Sequence, residues 1–369
     1  MMYQFRRELI LELQQKYEVV LSMPFVGHEE DFRKMGCKCI NTKIDRRGIN
    51  PVTDLKLLQF YNKNMRFKIT IEGIAEEKPD KVITYSIKPN IYASLICRHK
   101  KIPYYANVQG LGTAFQKKLL TKFVGILYKT AFRKVRAVFF ENQGNAQEFI
   151  SRKLVAEDKI IVLNGAGINL EHYAYTPISS RQDENDNSSA GEQKMHFLYV
   201  GRIMKEKGID ELFTAMRRLH GEYGDKVILD IVGFFEDEYK DAVEKLVEDG
   251  IAVFHGFQVE TRPYYVMADC IVLPSWHEGM SNVLLEASAI GRPVITSDIP
   301  GCREAVEDGK TGYLCEVRNA EMLFEKMKLM ADQSAEEIEE MGRCARKRME
   351  ELFDKKKVVE QTVEIISGK

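Results

Sequence analysis

Apolar residues in the first part of the chain recur at two alternating spacings. Phe5, Leu9 and Leu13 fall four apart, which predicts a helix over 3–15. The β-branched run at 18–23, closed by Pro24, predicts a short strand. A long amphipathic helix is expected over 54–75 and, after Pro79-Asp80, a strand over 81–85. A helix over 91–99 and, beyond Pro103, a strand over 104–108 follow. Such alternation argues for parallel βαβ units, not a sandwich or a bundle. The chain opens in a helix, whereas a doubly wound sheet normally begins with the strand whose turn feeds that helix. The first domain is therefore expected to lack its first β-strand. A start downstream of the true one is the favoured explanation, because a central parallel strand is hard to delete.

Residues 176–193 (TPISSRQDENDNSSAGEQ) are polar and aperiodic, which marks a linker or surface segment. Strand signals then resume at 195–200, 226–232, 252–255, 269–273 and 293–297. Between them lie helical patterns at 208–219, 239–248 and 282–290, and the chain is helical from 320 onward. The expected division is a first α/β domain over 1–175, a linker over 176–194 and a second α/β domain over 195–350. A C-terminal helix over 351–369 would cross back to the first domain.

Length and composition narrow the class. A chain of 369 residues suggests two domains, and 44% hydrophobic with 30% charged residues excludes wholesale disorder. No apolar run approaches the roughly 18–20 residues of a spanning helix. The opening residues carry Arg6, Arg7 and Glu8, so no signal peptide is expected. Seven cysteines without metal-like spacing fit a reduced, cytoplasmic chain. Charge changes the picture more. The net charge of −1 hides 29 Lys+Arg against 17 Asp+Glu up to Tyr175, and 25 against 38 after it. Residues 81–140 contain twelve cations and no acid. This asymmetry points to an anionic partner for the first half. Within it, residues 117–136 form a basic amphipathic pattern, with Leu120, Phe123, Val124, Leu127, Ala131 and Phe132 near one stripe. That pattern reads as an anionic membrane surface, each cation contributing about 1 kcal/mol near the leaflet. Nucleic acid is disfavoured, because these aromatics fit an apolar face better than a stacking platform.

The chemistry concentrates in residues 271–296 (IVLPSWHEGMSNVLLEASAIGRPVIT). A buried strand ends at Pro274, a polar loop follows, and a helix starts near Ser281-Asn282. Ligands in open α/β sheets bind beyond the carboxyl ends of strands. Free N–H groups at that helix start favour an anion such as a diphosphate, and Gly279 permits close backbone approach. Asn282 and Glu286 lie four apart on one helical face, with Glu278 about a turn earlier. Two carboxylates beside a phosphate site suit vicinal sugar hydroxyls. A second element is 199–208 (YVGRIMKEKG), where Gly201 is expected to turn after a strand and Arg202 and Lys207 to flank the next helix. Trp276 is expected to pack beneath the loop, and none of His28, His99, His172 or His255 has metal spacing.

Taken together, Gly201-Arg202, Lys207-Gly208, Pro274-Ser275, Glu278-Gly279, Ser281-Asn282 and Glu286-Ala287 resemble the family 4 retaining glycosyltransferases of the GT-B fold. Glu278 and Glu286, with seven residues between, match the family's E-x7-E motif. The resemblance implies two Rossmann-like domains facing across a cleft, with the nucleotide-sugar donor held mainly by the second. It implies that Arg202 and Lys207 neutralise the donor diphosphate, that Glu286 holds the ribose and that Glu278 meets hydroxyls of the transferred sugar. Gly201, Gly279, Met280, Ser281 and Asn282 would line the donor through their backbone. No two aspartates lie two apart, so the metal-chelating Asp-x-Asp of the other large nucleotide-sugar transferase fold is absent and no metal or separate cofactor is expected. Many relatives carry a histidine where this chain has Gln109. The run Gly110 to Phe115, including Gly112, resembles a subgroup that extends lipid-linked oligosaccharides, and places Gln109, Gly110 and Gly112 on the acceptor and sugar side. The expected acidic-Gly-Pro turn after Val232 is replaced by Gly233-Phe234-Phe235-Glu236-Asp237.

The reading is a retaining, metal-independent transferase moving a hexose or N-acetylhexosamine from a UDP-sugar to a lipid-linked glycan at the inner face of the membrane. A catalytically silent nucleotide-sugar-binding partner and a nucleotide-sugar epimerase stand as alternatives. The acid-free stretch speaks against the epimerase.

Overall fold

The computed structural model describes residues 2–44, 51–65, 79–110, 118–180 and 194–368. Met1–Ala166 with Lys357–Lys369 form one compact unit, and Gly167–Lys356 form the other.

The first unit opens with α1 (Met2–Gln14), β1 (Val20–Met23), α2 (Glu29–Lys34), β2 (Lys38–Asn41) and α3 (Pro51–Asn64). It continues through β3 (Val82–Tyr85), α4 (Ile87–Lys100), β4 (Tyr104–Val108), α5 (Lys118–Ala131), β5 (Ala137–Phe140), α6 (Gln143–Ser151) and β6 (Ile160–Val162). β3, β4, β5 and β6 make a four-stranded parallel sheet in that order, while β1 and β2 pair separately. No strand precedes α1 among the described residues, and the outer edges of β1 and β3 have no strand partner there. Every residue of β4 and β5 is buried. That is why they read as apolar runs without alternation, as strands covered on both faces do. Leu9 and Leu13 of α1 cover one face with Tyr105 and Phe139, joined by Val358, Val363 and Ile366 of the C-terminal helix. Tyr104, Tyr128, Phe132, Phe140 and Phe149 fill the other.

Two helices depart from expectation. The helix expected from 54 starts at Pro51 and ends at Asn64, and residues 66–75 of that expectation lie outside the described residues. The helix expected from 91 starts at Ile87, ahead of Pro89. A proline in the first turn costs no hydrogen bond, because those N–H groups have no intrahelical acceptor.

The second unit contains β7 (Met195–Ile203), α7 (Ile209–Tyr223), β8 (Val227–Phe235), α8 (Lys240–Glu248), β9 (Ala252–Gly256) and α9 (Arg262–Met267). β10 (Cys270–Leu273), α10 (Asn282–Ile290), β11 (Val294–Ser297), β12 (Gly312–Cys315), α11 (Ala320–Ala331) and α12 (Ala335–Leu352) follow, and α13 (Lys355–Ser367) belongs to the first unit from Lys357 on. Its six strands are all parallel, in the order β12-β11-β10-β7-β8-β9. The chain winds outward from β7 through β8 to β9, then returns to the opposite side of β7 to lay down β10, β11 and β12. The winding direction therefore reverses between β7 and β10, and a crevice forms beyond the carboxyl ends of such a pair.

The change of unit falls at Ala166–Gly167, earlier than the expected boundary after Tyr175. Residues 167–175 belong to the second unit because Ile168 bridges Asp354, and its N–H donates to the Phe353 carbonyl at 2.7 Å. Tyr173 packs in the second unit's core. The polar segment starts inside the same unit, where the Arg292 guanidinium donates to the Thr176 carbonyl at 2.6 Å. Residues 357–369 group with the first unit.

Candidate functional site

β7 and β10 deliver the two segments singled out by their residues. β7 does not end at Val200. It pairs with β8 through Ile203 and Phe235, so Gly201 and Arg202 lie within the strand and no turn forms at Gly201. The turn comes later, as a single 3₁₀ turn over Lys205–Lys207. Gly208 ends it at φ 73°, in the left-handed region, and opens α7. A Cβ there would lie 2.0 Å from the Pro274 carbonyl oxygen, so only glycine lets this turn press against the loop after β10. The contact brings Lys207 Nζ to 2.5 Å from Glu278 Oε1, both side chains mostly buried.

The loop itself is braced. The Trp276 N–H donates to the Glu206 carbonyl at 2.9 Å and its indole N–H to Glu211 at 3.1 Å, with the Arg318 guanidinium 4.0 Å from the ring centre. Trp276 thus packs the loop, while His277 is exposed. Gly301, at φ 88°, approaches so closely that a Cβ would lie 2.1 Å from the Gly279 carbonyl oxygen, and its own carbonyl accepts the Ser281 N–H at 2.9 Å. Met280 is buried. Ser281 flanks α10 without capping it through its side chain. The first N–H groups of α10, from Asn282 onward, therefore point their partial positive charge beyond β10.

Arg202 pairs with Glu236, an acid from the turn that replaces the expected acidic-Gly-Pro. Its carbonyl accepts the Tyr199 hydroxyl at 2.5 Å. Burial pushes that hydroxyl well above its ordinary range, and the charge of Glu278 pushes it the same way while Arg202 opposes it. Arg202 and Glu278 thus act on one tyrosine.

Glu286 sits deeper. It lies one turn into α10, is 5% exposed, and accepts the Tyr265 hydroxyl at 2.9 Å and a second hydrogen bond from Tyr173. Burial pushes its carboxyl up to about 7, against the pull of those tyrosines and of Lys355. The structure therefore joins Lys207 to Glu278, while Arg202 pairs separately with Glu236. No ion pair links Glu286 to either cation among the described residues. Tyr173, Tyr265 and Glu236 were not foreseen, since they come from other elements and belong to no local motif.

In the first unit, Gln109 and Gly110 end β4 half-buried, and Gly112 lies outside the described residues. Beside them stands Glu141, just past β5 and likewise unforeseen. Gln109 hydrogen-bonds to it, and Arg6 of α1 forms a buried ion pair with it. The surface of α5 also differs from expectation. Val124, Tyr128 and Phe132 are buried, but Phe123 and Ile126 are 53% and 65% exposed, flanked by exposed Lys122, Lys129 and Arg133. The side chain of Leu120 and all of Lys117 lie outside the described residues. No helix is long and apolar enough to cross a membrane among the described residues.

The chain was compared with known proteins. Residues 180–348 match the sequence profile described as glycosyl transferases group 1. A Campylobacter jejuni N,N'-diacetylbacillosaminyl-diphospho-undecaprenol alpha-1,3-N-acetylgalactosaminyltransferase is 28% identical over 338 residues, spanning 89% of this chain and 86% of its own. The Staphylococcus aureus capsular polysaccharide biosynthesis glycosyltransferase CapM is 29% identical over 58% of this chain and 57% of its own. Among solved structures, Anabaena HepE in complex with UDP superposes with a TM-score of 0.75 at 16% identity, covering 98% of this chain and 96% of that one. A Rickettsia africae glycosyltransferase gives 0.75 at 17% identity, covering 99% and 94%. These likenesses show the fold, two parallel-sheeted α/β domains of the GT-B type.

Proposed function

We propose that this chain, whose residues 180–348 match the group 1 glycosyl transferases, is a GT-B transferase that moves a hexose or N-acetylhexosamine from a UDP-sugar to a lipid-linked glycan, retaining the anomeric configuration and using no metal. One observation carries the reading. At the strand pair where the second unit reverses its winding, Lys207 from the turn after β7 pairs with Glu278 from the loop between β10 and α10.

The chemistry follows from that arrangement. A diphosphate is received by Lys207, Arg202 and the first N–H groups of α10, with the backbone from Gly279 to Asn282 and Gly201 alongside. Binding draws Lys207 from Glu278, whose carboxylate then accepts hydrogen bonds from hydroxyls of the transferred sugar. Glu286 takes the ribose diol beside Tyr265 and Tyr173. As the anomeric bond breaks, charge grows on the leaving diphosphate, and fixed cations stabilise it without reorganising. This supports metal independence. The departing phosphate oxygen takes the acceptor's proton on the same face of the sugar, which preserves the configuration. Gln109 and Gly110 serve the acceptor and sugar side.

The Campylobacter relative acts on a diphospho-undecaprenol substrate and HepE is bound to UDP, which supports the lipid-linked acceptor and the donor base. Exposed Phe123 and Ile126 among Lys122, Lys129 and Arg133 support peripheral docking of α5 on an anionic membrane, at its cytoplasmic face.

Calorimetric titration of UDP, GDP and ADP, followed by a transfer assay on a polyprenyl-diphosphate-linked sugar, tests the reading. UDP is expected to bind tightest and transfer to survive EDTA. Absence of nucleotide binding overturns the reading, binding without turnover makes the chain a silent partner, and an inverted product by NMR overturns retention.

A further inference from the structure

We propose that Glu141, paired with Arg6, is a positioning residue that fixes the side-chain amide of Gln109 so that its carbonyl oxygen, not its NH₂ group, meets the sugar received by the first unit. The inference rests on the proposed transfer reading and goes beyond it, to a group that recognition of the family does not bring into view.

The argument starts from misplaced charge. Arg6 occupies the buried face of α1 together with Leu9, Ile10 and Leu13, where the helical spacing calls for an apolar side chain. Its guanidinium pairs with Glu141, and the two side chains are 5% and 8% exposed. Burying such a pair costs so much desolvation that a hydrophobic pair of similar size generally stabilises a fold as well. Packing alone therefore does not explain it.

Strand register shows what the pair does. Tyr85 lies opposite Asn107, and Val108 opposite Phe140, so β3, β4 and β5 end level with one another. Gln109 and Glu141 leave their strands side by side, with the Arg6 guanidinium 5.4 Å from the centre of the half-buried Tyr85 ring. The groups facing the Glu141 carboxyl are Arg6 from α1, Tyr85 from β3 and Gln109 after β4. Its backbone carbonyl is engaged separately, by the Gly165 N–H at 3.2 Å.

An ionised carboxylate only accepts hydrogen bonds, so the Gln109 amide must offer it the NH₂ group. The amide oxygen then points away and presents an acceptor to a hydroxyl or acetamido N–H of the substrate. The Arg6 ion pair and the Gln109 amide favour the charged carboxylate, while burial, the larger effect, raises its pKa above the ordinary range. A protonated Glu141 gains a donor, and the amide is free to turn over.

The test is a double-mutant cycle on acceptor kinetics with UDP binding measured alongside. Glu141→Gln and Gln109→Ala are each expected to lower kcat/KM for the acceptor about tenfold, with the UDP Kd unchanged, as loss of one charged hydrogen bond implies. Because Glu141 acts through Gln109, the double variant should be no worse than Gln109→Ala alone. Wild-type kcat/KM should also fall on the acid side as Glu141 takes up a proton, and Gln109→Ala should lack that limb. Additive losses, or an acid limb that survives in Gln109→Ala, overturn the proposal. Should Glu141→Gln fail to fold, the pH comparison between wild type and Gln109→Ala decides alone. Should the wild type bind no nucleotide, the transfer reading falls by itself. The Gln109 side-chain NH₂ then decides: a heteronuclear NOE as high as that of the rigid backbone supports the fixed orientation, and one as low as that of an exposed glutamine overturns it.

Discussion

The two units use charge in opposite ways. In the second, cations and acids stand at the mouth of one six-stranded sheet. There Lys207 is paired to Glu278, but both remain within reach of a ligand entering beyond β7 and β10. In the first, the sheet is divided into four strands and two, and one of its ion pairs, Arg6 with Glu141, is buried. Only the neighbouring amide of Gln109 is half-exposed. A charge that must meet a diphosphate has to stay accessible while its position is fixed by backbone contacts, as Gly208 fixes Lys207. A charge that only orients another side chain works best when dry, where water cannot compete for the hydrogen bond. On the proposed transfer, the second unit binds the leaving group and the first orients the sugar.

Three experiments press on that contrast. Lys207→Ala should have the largest effect, lowering kcat by about a hundredfold or more, because its charge is needed most as the diphosphate leaves. UDP affinity should fall much less, and equal losses would make the lysine a binding residue only. Glu286→Ala should weaken UDP by about 1.5–3 kcal/mol, roughly ten- to a hundredfold in Kd. An unchanged Kd removes its ribose role. Glu286 carries a pH signature too. Its carboxyl is raised from 4.5 to about 7, so between those values the native state holds the extra proton and stability falls as pH rises. The wild-type Tm should therefore decline across that window relative to Glu286→Gln, and parallel profiles would show that the carboxyl titrates normally.

The smallest effect is expected in the first unit. Replacing Phe123 and Ile126 together by serine should weaken binding to anionic vesicles about tenfold, since each exposed side chain forfeits part of the ~1.5–3 kcal/mol of full burial. Turnover on a water-soluble acceptor should not change. Unaltered vesicle binding would return α5 to an ordinary solvated helix.

Much of this was legible before any coordinates. Helix periodicity placed α1, α7, α8 and α10 to within a few residues, and α10 and β4 at their observed bounds. Strands of only three or four residues, such as Lys38–Asn41, Ala137–Phe140, Ile160–Val162 and Gly312–Cys315, are too short to show an alternating signal. Phe123 was placed on one stripe with Val124 and Phe132, and the structure separates them because apolar character marks both a core-facing and an exposed side chain.

By itself, the sequence determined the α/β class, the segments proposed to carry the donor chemistry and the charge contrast between halves, since each is written in local spacing or composition. Only the tertiary structure decided that Lys207 meets Glu278, that Glu286 lies beneath Tyr265 and Tyr173, that the units change at Ala166–Gly167, and that Arg6 and Glu141 share a buried pair. Those facts depend on which strand ends lie side by side. Residues 135 positions apart become neighbours only when α1 packs across the ends of a parallel sheet, and no periodicity along the chain encodes that distance.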